Sequence, residues 1–128
     1  MFLTDEHIEL GKQQTVYTLN PARHEHSDCI RIAVAWLEAQ KRLKNPSFGR
    51  GGHPLKHIIE SWAGRYVSQN DVEVAATLLG LLGAYPYFNI SSRLTRPSLL
   101  RLDGIEQAMK HKNYLGWYDA AYSRLEAR

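Results

Sequence analysis

Histidine and cysteine are the side chains of this sequence that are best suited to metal chemistry. His24, His26 and Cys29 lie close together in the chain, and imidazole and thiolate groups are the usual ligands of structural zinc. Such sites usually pair their thiols, however, and Cys29 is the only cysteine in the sequence. It also falls inside an apolar helical pattern. We therefore expect a buried structural thiol, solvent-exposed loop histidines and no metal site.

A second pair, His53 and His57, has the i, i+4 spacing that places two ligands on one face of a helix. Pro54 suits the first position of that helix, so we expect His53 to lie outside it. The preceding residues 49–52 read Gly-Arg-Gly-Gly and lack the lysine and hydroxyl ending of a phosphate-binding loop. The backbone amides there, together with Arg50, could still hold a phosphate, and a mobile surface loop is the alternative.

Nucleophilic catalysis requires a cysteine or serine beside a base that a third group orients. His26 is too close to Cys29 in sequence to indicate such a pair, and there is no Gly-x-Ser-x-Gly motif. Asp71 and Glu73 open a predicted helix, where the helix dipole favours negative charge. We predict a protein that is not an enzyme, with no catalytic residues and no cofactor.

Positive charge is unevenly distributed along the chain, which carries a net charge of +3. Residues 31–65 contain seven basic and two acidic residues, and residues 85–102 contain three arginines and no acidic residue. If these two stretches meet in the folded protein, they form a surface that attracts polyanions. Counterion release would then make binding dependent on salt. Ordinary solvated charge is the alternative interpretation.

The polar side chains between residues 89 and 101 are of the types that contact duplex DNA. Asparagine and arginine make paired hydrogen bonds to base edges, whereas serine and threonine hold phosphates. We predict a small DNA-binding protein that acts in transcription regulation, in a bacterium or a mobile element. The expected main contact surface is Asn89, Ser92, Arg93, Arg96 and Arg101, with Lys41, Arg42, Lys44, Arg50 and Lys56 holding phosphates nearby.

Apolar periodicity and capping residues predict the helices that would position these groups. Ser27 suits an N-cap before a strongly apolar pattern. Pro54 and Gly64 suit the start and the end of the next helix. Ser68 with Asp71 resembles a capping box. The expected helices cover residues 4–14, 28–43, 54–63, 69–80 and 115–125.

The stretch 85–96 is ambiguous in its periodicity. Apolar residues from Phe88 to Leu94 alternate partly as in a strand but also fit one face of a helix. We predict a turn followed by a short helix from Asn89. Supported by the helix at 69–80, this segment would form a helix-turn-helix-like pair and enter a DNA groove. The alternatives are binding of single-stranded nucleic acid or RNA and a solvated polar turn.

These elements predict an all-α fold, a compact single-domain bundle of five or six short helices over residues 1–128. The helices at 28–43 and 69–80 are apolar around most of their circumference, which indicates a central position. The expected core contains Ile30, Val34, Trp36, Leu37, Ile58, Ile59, Trp62, Val72, Ala75, Leu79, Leu102, Ile105, Trp117 and Tyr118.

An alternative function is that of a non-enzymatic adaptor or inhibitor that binds protein through the helix at 115–125. Aromatic residues are enriched at protein interfaces, and an aromatic stripe occupies one face of this helix. This face would bind a protein partner or a second copy of the chain. The alternative is that it packs on the body of the protein. The residues of this predicted surface are Tyr114, Trp117, Tyr118 and Tyr122.

Cellular location is predicted from three features of the sequence. A lone cysteine cannot form an internal disulfide, and the first residues lack the basic and apolar regions of a secretory signal. The longest weakly polar run, residues 74–85, is too short to cross a bilayer. We expect a cytoplasmic protein without a membrane partner.

Overall fold

The computed structural model describes residues 3–46 and 54–127. The chain is mostly helical, as the sequence predicts. Within the described ranges, four α-helices and one small parallel sheet take the place of five or six helices. The elements are α1 (Asp5–Gln14), α2 (Ser27–Glu38), α3 (Leu55–Ala63), α4 (Gln69–Leu79), β1 (Leu94–Arg96) and β2 (Tyr122–Leu125), with 3-10 turns at Leu99–Leu102, Lys112–Tyr114 and Asp119–Ala121.

The helix ends follow local capping chemistry. Thr4 caps α1 by accepting a hydrogen bond from the His7 amide at 3.2 Å. Ser68 and Asp71 form the predicted capping box of α4. The left-handed residue Gly64, at φ 59°, ends α3 as predicted. The expected Ser27 cap of α2 is wrong, because the side chain of His26 caps that helix instead.

The core lies between α2 and α4, which pack on each other more extensively than any other pair of elements. No helix among the described residues is long and apolar enough to cross a membrane. The core prediction is wrong at Trp117, whose side chain is 76% exposed, and Leu79, Ile105 and Tyr118 are only partly buried. The predicted core residues that are buried are Ile30, Val34, Trp36, Leu37, Ile58, Ile59, Trp62, Val72, Ala75 and Leu102.

The helix α2 ends at Glu38, five residues before its predicted end at Leu43. Beyond it the chain is extended and pairs with a distant segment, through Leu43 N donating to Asn89 O at 2.7 Å. The side chain of Gln40 is buried and forms two hydrogen bonds to the backbone of Thr95 in β1. Pairing with residues remote in sequence therefore takes precedence over continuation of the helix.

The predicted short helix from Asn89 is wrong, since residues 89–93 contain bends and a β-bridge and residues 94–96 form β1. Ile90 forms an antiparallel bridge with Arg42, and the chain then continues into β1. The buried side chains of Phe88, Ile90 and Leu94 satisfy the strand-like alternation instead. The segment expected to act as a recognition helix is therefore not helical, and the helix-turn-helix interpretation that depended on it is lost.

The predicted helix at 115–125 is also wrong. Gly116 has a left-handed backbone conformation, with φ 82°, that an α-helix cannot contain. A 3-10 turn follows, and β2 then pairs in parallel with β1. The side chain of Tyr122 is anchored to the core, because Trp36 Nε1 donates to its hydroxyl oxygen at 2.9 Å. The aromatic residues therefore have the spacing of a helix in the sequence but lie in turns and a strand in the structure.

Candidate nucleic-acid interface

The two basic stretches of the sequence meet through backbone hydrogen bonds. Ser91 N donates to Lys41 O at 2.8 Å, and the bridge between Arg42 and Ile90 lies next to it. The segment 41–44 therefore runs beside the segment 89–93. Two regions that are about fifty residues apart in the chain share one surface.

A third stretch adds a cation that sequence reasoning missed. Arg124 lies on β2, and its Nη2 atom donates to Arg93 O at 3.5 Å. No sequence signal indicates this residue, since its position depends on the parallel pairing of β2 with β1. We define the basic surface as the five exposed side chains of Lys41, Arg42, Lys44, Arg93 and Arg124.

The charge of the basic surface is not neutralised by carboxylates among the described residues. None of its five side chains takes part in an ion pair there. Arg42 donates from Nη2 to Leu79 O at 2.8 Å, in the last turn of α4. A cation at a helix C-terminus is favoured by the helix dipole and keeps its charge. The surface thus presents to solvent positive charge that no carboxylate of residues 3–46 and 54–127 compensates.

Asn89 does not lie on this surface, contrary to the sequence-based prediction. Its side chain is 4% exposed. Its Oδ1 atom accepts from Leu82 N at 2.7 Å, and its Nδ2 atom donates to Leu43 O at 2.9 Å. The amide is fully occupied in joining two loops and is not available to a base edge.

Arg101 is likewise bound within the protein instead of exposed for contact. Its Nε and Nη2 atoms donate to Glu126 at 2.8 and 2.6 Å, and its Nη1 atom donates to Glu38 at 3.2 Å. The hydrogen bonds with Glu126 raise the pKa of the Arg101 guanidinium and lower the pKa of the Glu126 carboxyl. Arg101 therefore offers little net charge to a polyanion.

The other predicted contact residues are partly buried, close to a carboxylate or located in another part of the molecule. Ser92 is half-buried next to Arg93. Arg96 lies 3.9 Å from Asp119 Oδ1, which partly offsets its charge. Lys56 pairs with Glu60 at 3.2 Å and lies over the ring of Tyr66, at another part of the molecule. Arg50 and the phosphate-loop hypothesis for residues 49–52 fall outside the described residues, as does His53.

The histidines and cysteine considered for metal binding have separate partners. His24 lies between Tyr17 and Asp71, with its two ring nitrogens 3.0 and 2.7 Å from their oxygens. His26 caps α2. Cys29 is the expected buried thiol, and burial raises its pKa to about 12. No group of three or more metal-binding side chains is present within residues 3–46 and 54–127.

The role of His24 was missed by sequence reasoning, which treated it as a loop histidine. It forms part of a polar network that holds residues 17–24 against the start of α4. Asn70 Oδ1 accepts from Arg23 N at 2.8 Å, and Glu73 Oε2 accepts from Thr18 N at 2.9 Å. The network explains the acidic residues of α4 as anchors for a loop.

The aromatic residues near the C-terminus differ in their exposure. Tyr122 is held by Trp36, and burial raises its pKa to about 12. Tyr114 and Tyr118 are half-buried, whereas Trp117 is exposed. Only Trp117 and its immediate surroundings therefore remain as a candidate contact surface.

Comparisons with known proteins were made at three levels. No family model, no curated protein and no solved structure matches this chain.

Proposed function

We propose that this protein binds duplex DNA without catalysis and with little dependence on base sequence, through the basic surface. The observation that carries the proposal is that residues 41–44, Arg93 and Arg124 come together in the fold. Their exposed basic side chains have no carboxylate partner among the described residues. Clustered lysines and arginines attract the phosphate backbone and release its counterions. A role in transcription regulation stays a prediction from the sequence.

The proposal favours phosphates over bases because of which side chains are exposed. Lysine and arginine at the surface contact phosphates without reading sequence. Asn89, the residue best suited to a bidentate contact with adenine, is buried and fully hydrogen-bonded. The segment 89–96 also presents no helix to the major groove.

The test is fluorescence anisotropy with a labelled random-sequence duplex, comparing the wild type with a Lys41→Ala, Arg93→Ala double variant. Both side chains are exposed and form no ion pair with the described part of the chain, so we expect the variant to fold normally. Loss of two phosphate contacts should weaken binding about tenfold at moderate salt. Binding to a second duplex of different sequence should weaken equally.

A matched control is available in Lys110→Ala with Lys112→Ala, which removes the same charge from two other exposed lysines. They flank His111, whose amide donates to Gly64 O at the end of α3. Arg42 of the basic surface instead contacts Leu79 O at the C-terminal end of α4. We expect the control to lose about twofold or less. Equal losses in both variants, or no duplex binding by the wild type at low salt, would contradict the proposal.

Protein binding is the second candidate function, and the exposure of Trp117 and Leu125 favours it. These apolar side chains are 76% and 74% exposed, and aromatic side chains are common anchors at interfaces. Sedimentation of the wild type over a range of concentrations tests for a homodimer. Self-association that Trp117→Ala abolishes would support this candidate, and a wild type that stays monomeric would rule the homodimer out.

A further inference from the structure

A cavity of about 300 Å³ lies between α3 and the turns at residues 113–118, away from the basic surface. Aromatic rings form much of its lining, from Tyr114, Trp117, Tyr118 and the imidazole of His57. Its volume is near the lower end of the range for small-molecule sites. The remaining lining comes from Glu60, Ser61 and Asn113.

The walls of the cavity are held in place before any ligand binds. Tyr118 N donates to Ser61 Oγ at 3.1 Å, which fixes the turn on α3. The indole Nε1 of Trp117 donates to Asn113 O at 2.8 Å, so this exposed ring has a defined orientation. The rings of His57 and Tyr118 are nearly parallel, with centroids 6.1 Å apart.

The lining contains one carboxylate, which is paired with neighbouring side chains. This carboxylate belongs to Glu60, and the lining residues include no lysine or arginine. Its side chain is 7% exposed, and its Oε1 atom lies 3.0 Å from His57 Nδ1. Lys56, which pairs with the other oxygen of Glu60, is not part of the lining. The cavity therefore combines aromatic faces with a carboxylate.

We propose that this cavity binds a methylated or quaternary ammonium group. The negative faces of tryptophan and tyrosine rings attract cations, and methylated ammonium ions combine positive charge with apolar surface. An anionic ligand would meet no lysine or arginine among the lining residues and would face aromatic rings instead. The site is independent of the proposed DNA contact, because it shares no residue with the basic surface.

Tryptophan fluorescence provides a direct measurement at this site. Trp36 and Trp62 are 0% and 1% exposed, so a neutral collisional quencher such as acrylamide reports on Trp117 alone. The probes are a trimethyl-lysine peptide and choline, and 3,3-dimethylbutanol serves as the uncharged isostere of choline. We expect both ammonium probes to protect Trp117 saturably and the isostere to bind about fivefold more weakly or worse.

The two ammonium probes distinguish the source of the ligand. Tighter binding of the trimethyl-lysine peptide would indicate a modified protein side chain, and tighter binding of choline would indicate a small metabolite or head group. Both results support the ammonium chemistry. Equal binding of the isostere and choline would overturn it, as would the absence of protection by either ammonium probe at millimolar concentration.

Variants that keep Trp117 as the reporter locate the site. Tyr114→Ala removes one half-buried ring, and we expect it to weaken both ammonium probes about fivefold. Leu125→Ala removes an exposed apolar side chain outside the cavity and serves as the control. Circular dichroism checks that each variant is folded. Unchanged binding in folded Tyr114→Ala would overturn the assignment of the cavity.

Discussion

Neighbouring side chains decide what each arginine of this protein can do. Arg93 is exposed and unpaired among the described residues, whereas Arg101 is held by two carboxylates. Both were equivalent in the sequence, as members of one acid-free stretch. The contrast matters for function, since a phosphate must compete with Glu126 for Arg101, whereas no carboxylate that the structure describes competes for Arg93.

The pair between Arg101 and Glu126 predicts a dependence of stability on pH. The Glu126 carboxyl has a pKa below its ordinary value of 4.5 because Arg101 hydrogen-bonds to it. Its stabilising contribution is present above pH 4.5 and is lost as the pH falls through the lowered pKa of the folded state. We expect Glu126→Gln to cost about 1 kcal/mol of unfolding free energy at neutral pH.

Urea denaturation across the acidic pH range measures this difference. The gap between the wild type and Glu126→Gln should shrink as the pH falls below 4.5. Glu106→Gln alters an exposed carboxylate and is the control. Its unfolding free energy should differ from that of the wild type by a constant amount across this pH range. A gap for Glu126→Gln that is constant with pH would mean that the pair does not contribute to the acid sensitivity.

The strand β1 has a hydrogen-bonding partner on each of its two edges, but only one of these partners is another strand. On one edge it pairs with β2. On the other, Gln40 takes the place of a strand, because its Oε1 atom accepts from Thr95 N at 2.9 Å and its Nε2 atom donates to Thr95 O at 2.8 Å. A single buried amide therefore satisfies the free edge and fixes the end of α2 against the sheet.

Gln40→Leu should test this role. It retains apolar bulk but leaves the Thr95 amide and carbonyl without partners in a buried site, and we expect a loss of about 2–3 kcal/mol in unfolding free energy. Gln14→Leu on the exposed part of α1 should change stability by about 0.5 kcal/mol or less. Thermal and chemical denaturation measure both, and a small effect at Gln40 would show that water or rearrangement satisfies Thr95.

For the whole molecule, the distribution of charge is more informative than the net charge. A net charge of +3 is modest, yet five exposed cations come together where residues 41–44, β1 and β2 meet. Several acidic residues elsewhere are bound to neighbours, as with Glu73 and Asp71 in the network around Thr18 and His24. This separation produces a local field that the composition alone does not reveal.

The proposed DNA contact predicts a specific salt dependence. With four or five phosphate contacts, the logarithm of the binding constant should fall with the logarithm of salt concentration with a slope of about −4. The Lys41→Ala, Arg93→Ala variant should reduce the magnitude of that slope by about 2. Anisotropy titrations between about 50 and 200 mM salt measure both slopes. Identical slopes would mean that phosphates do not contact these two residues.

Local sequence signals predicted the helices well where the structure depends on neighbouring residues. The ends of α1, α3 and α4 agree with the prediction to within one residue, because caps and apolar stripes act within a few residues of each other. The same logic failed for residues 40–43, 89–96 and 115–125. There, backbone groups pair with segments far along the chain, and helical spacing of apolar residues carries no information about such partners.

Composition, apolar periodicity and capping residues were enough to predict that the chain is mostly helical, that Cys29 is buried and that two stretches are rich in basic residues. The folded arrangement was needed to show that residues 41–44 lie beside Arg93, that Asn89 is buried and that Arg101 is neutralised. The physical reason is that charge and capping belong to the residue and its near neighbours. Exposure, pairing and proximity in space depend instead on hydrogen bonds between distant parts of the chain.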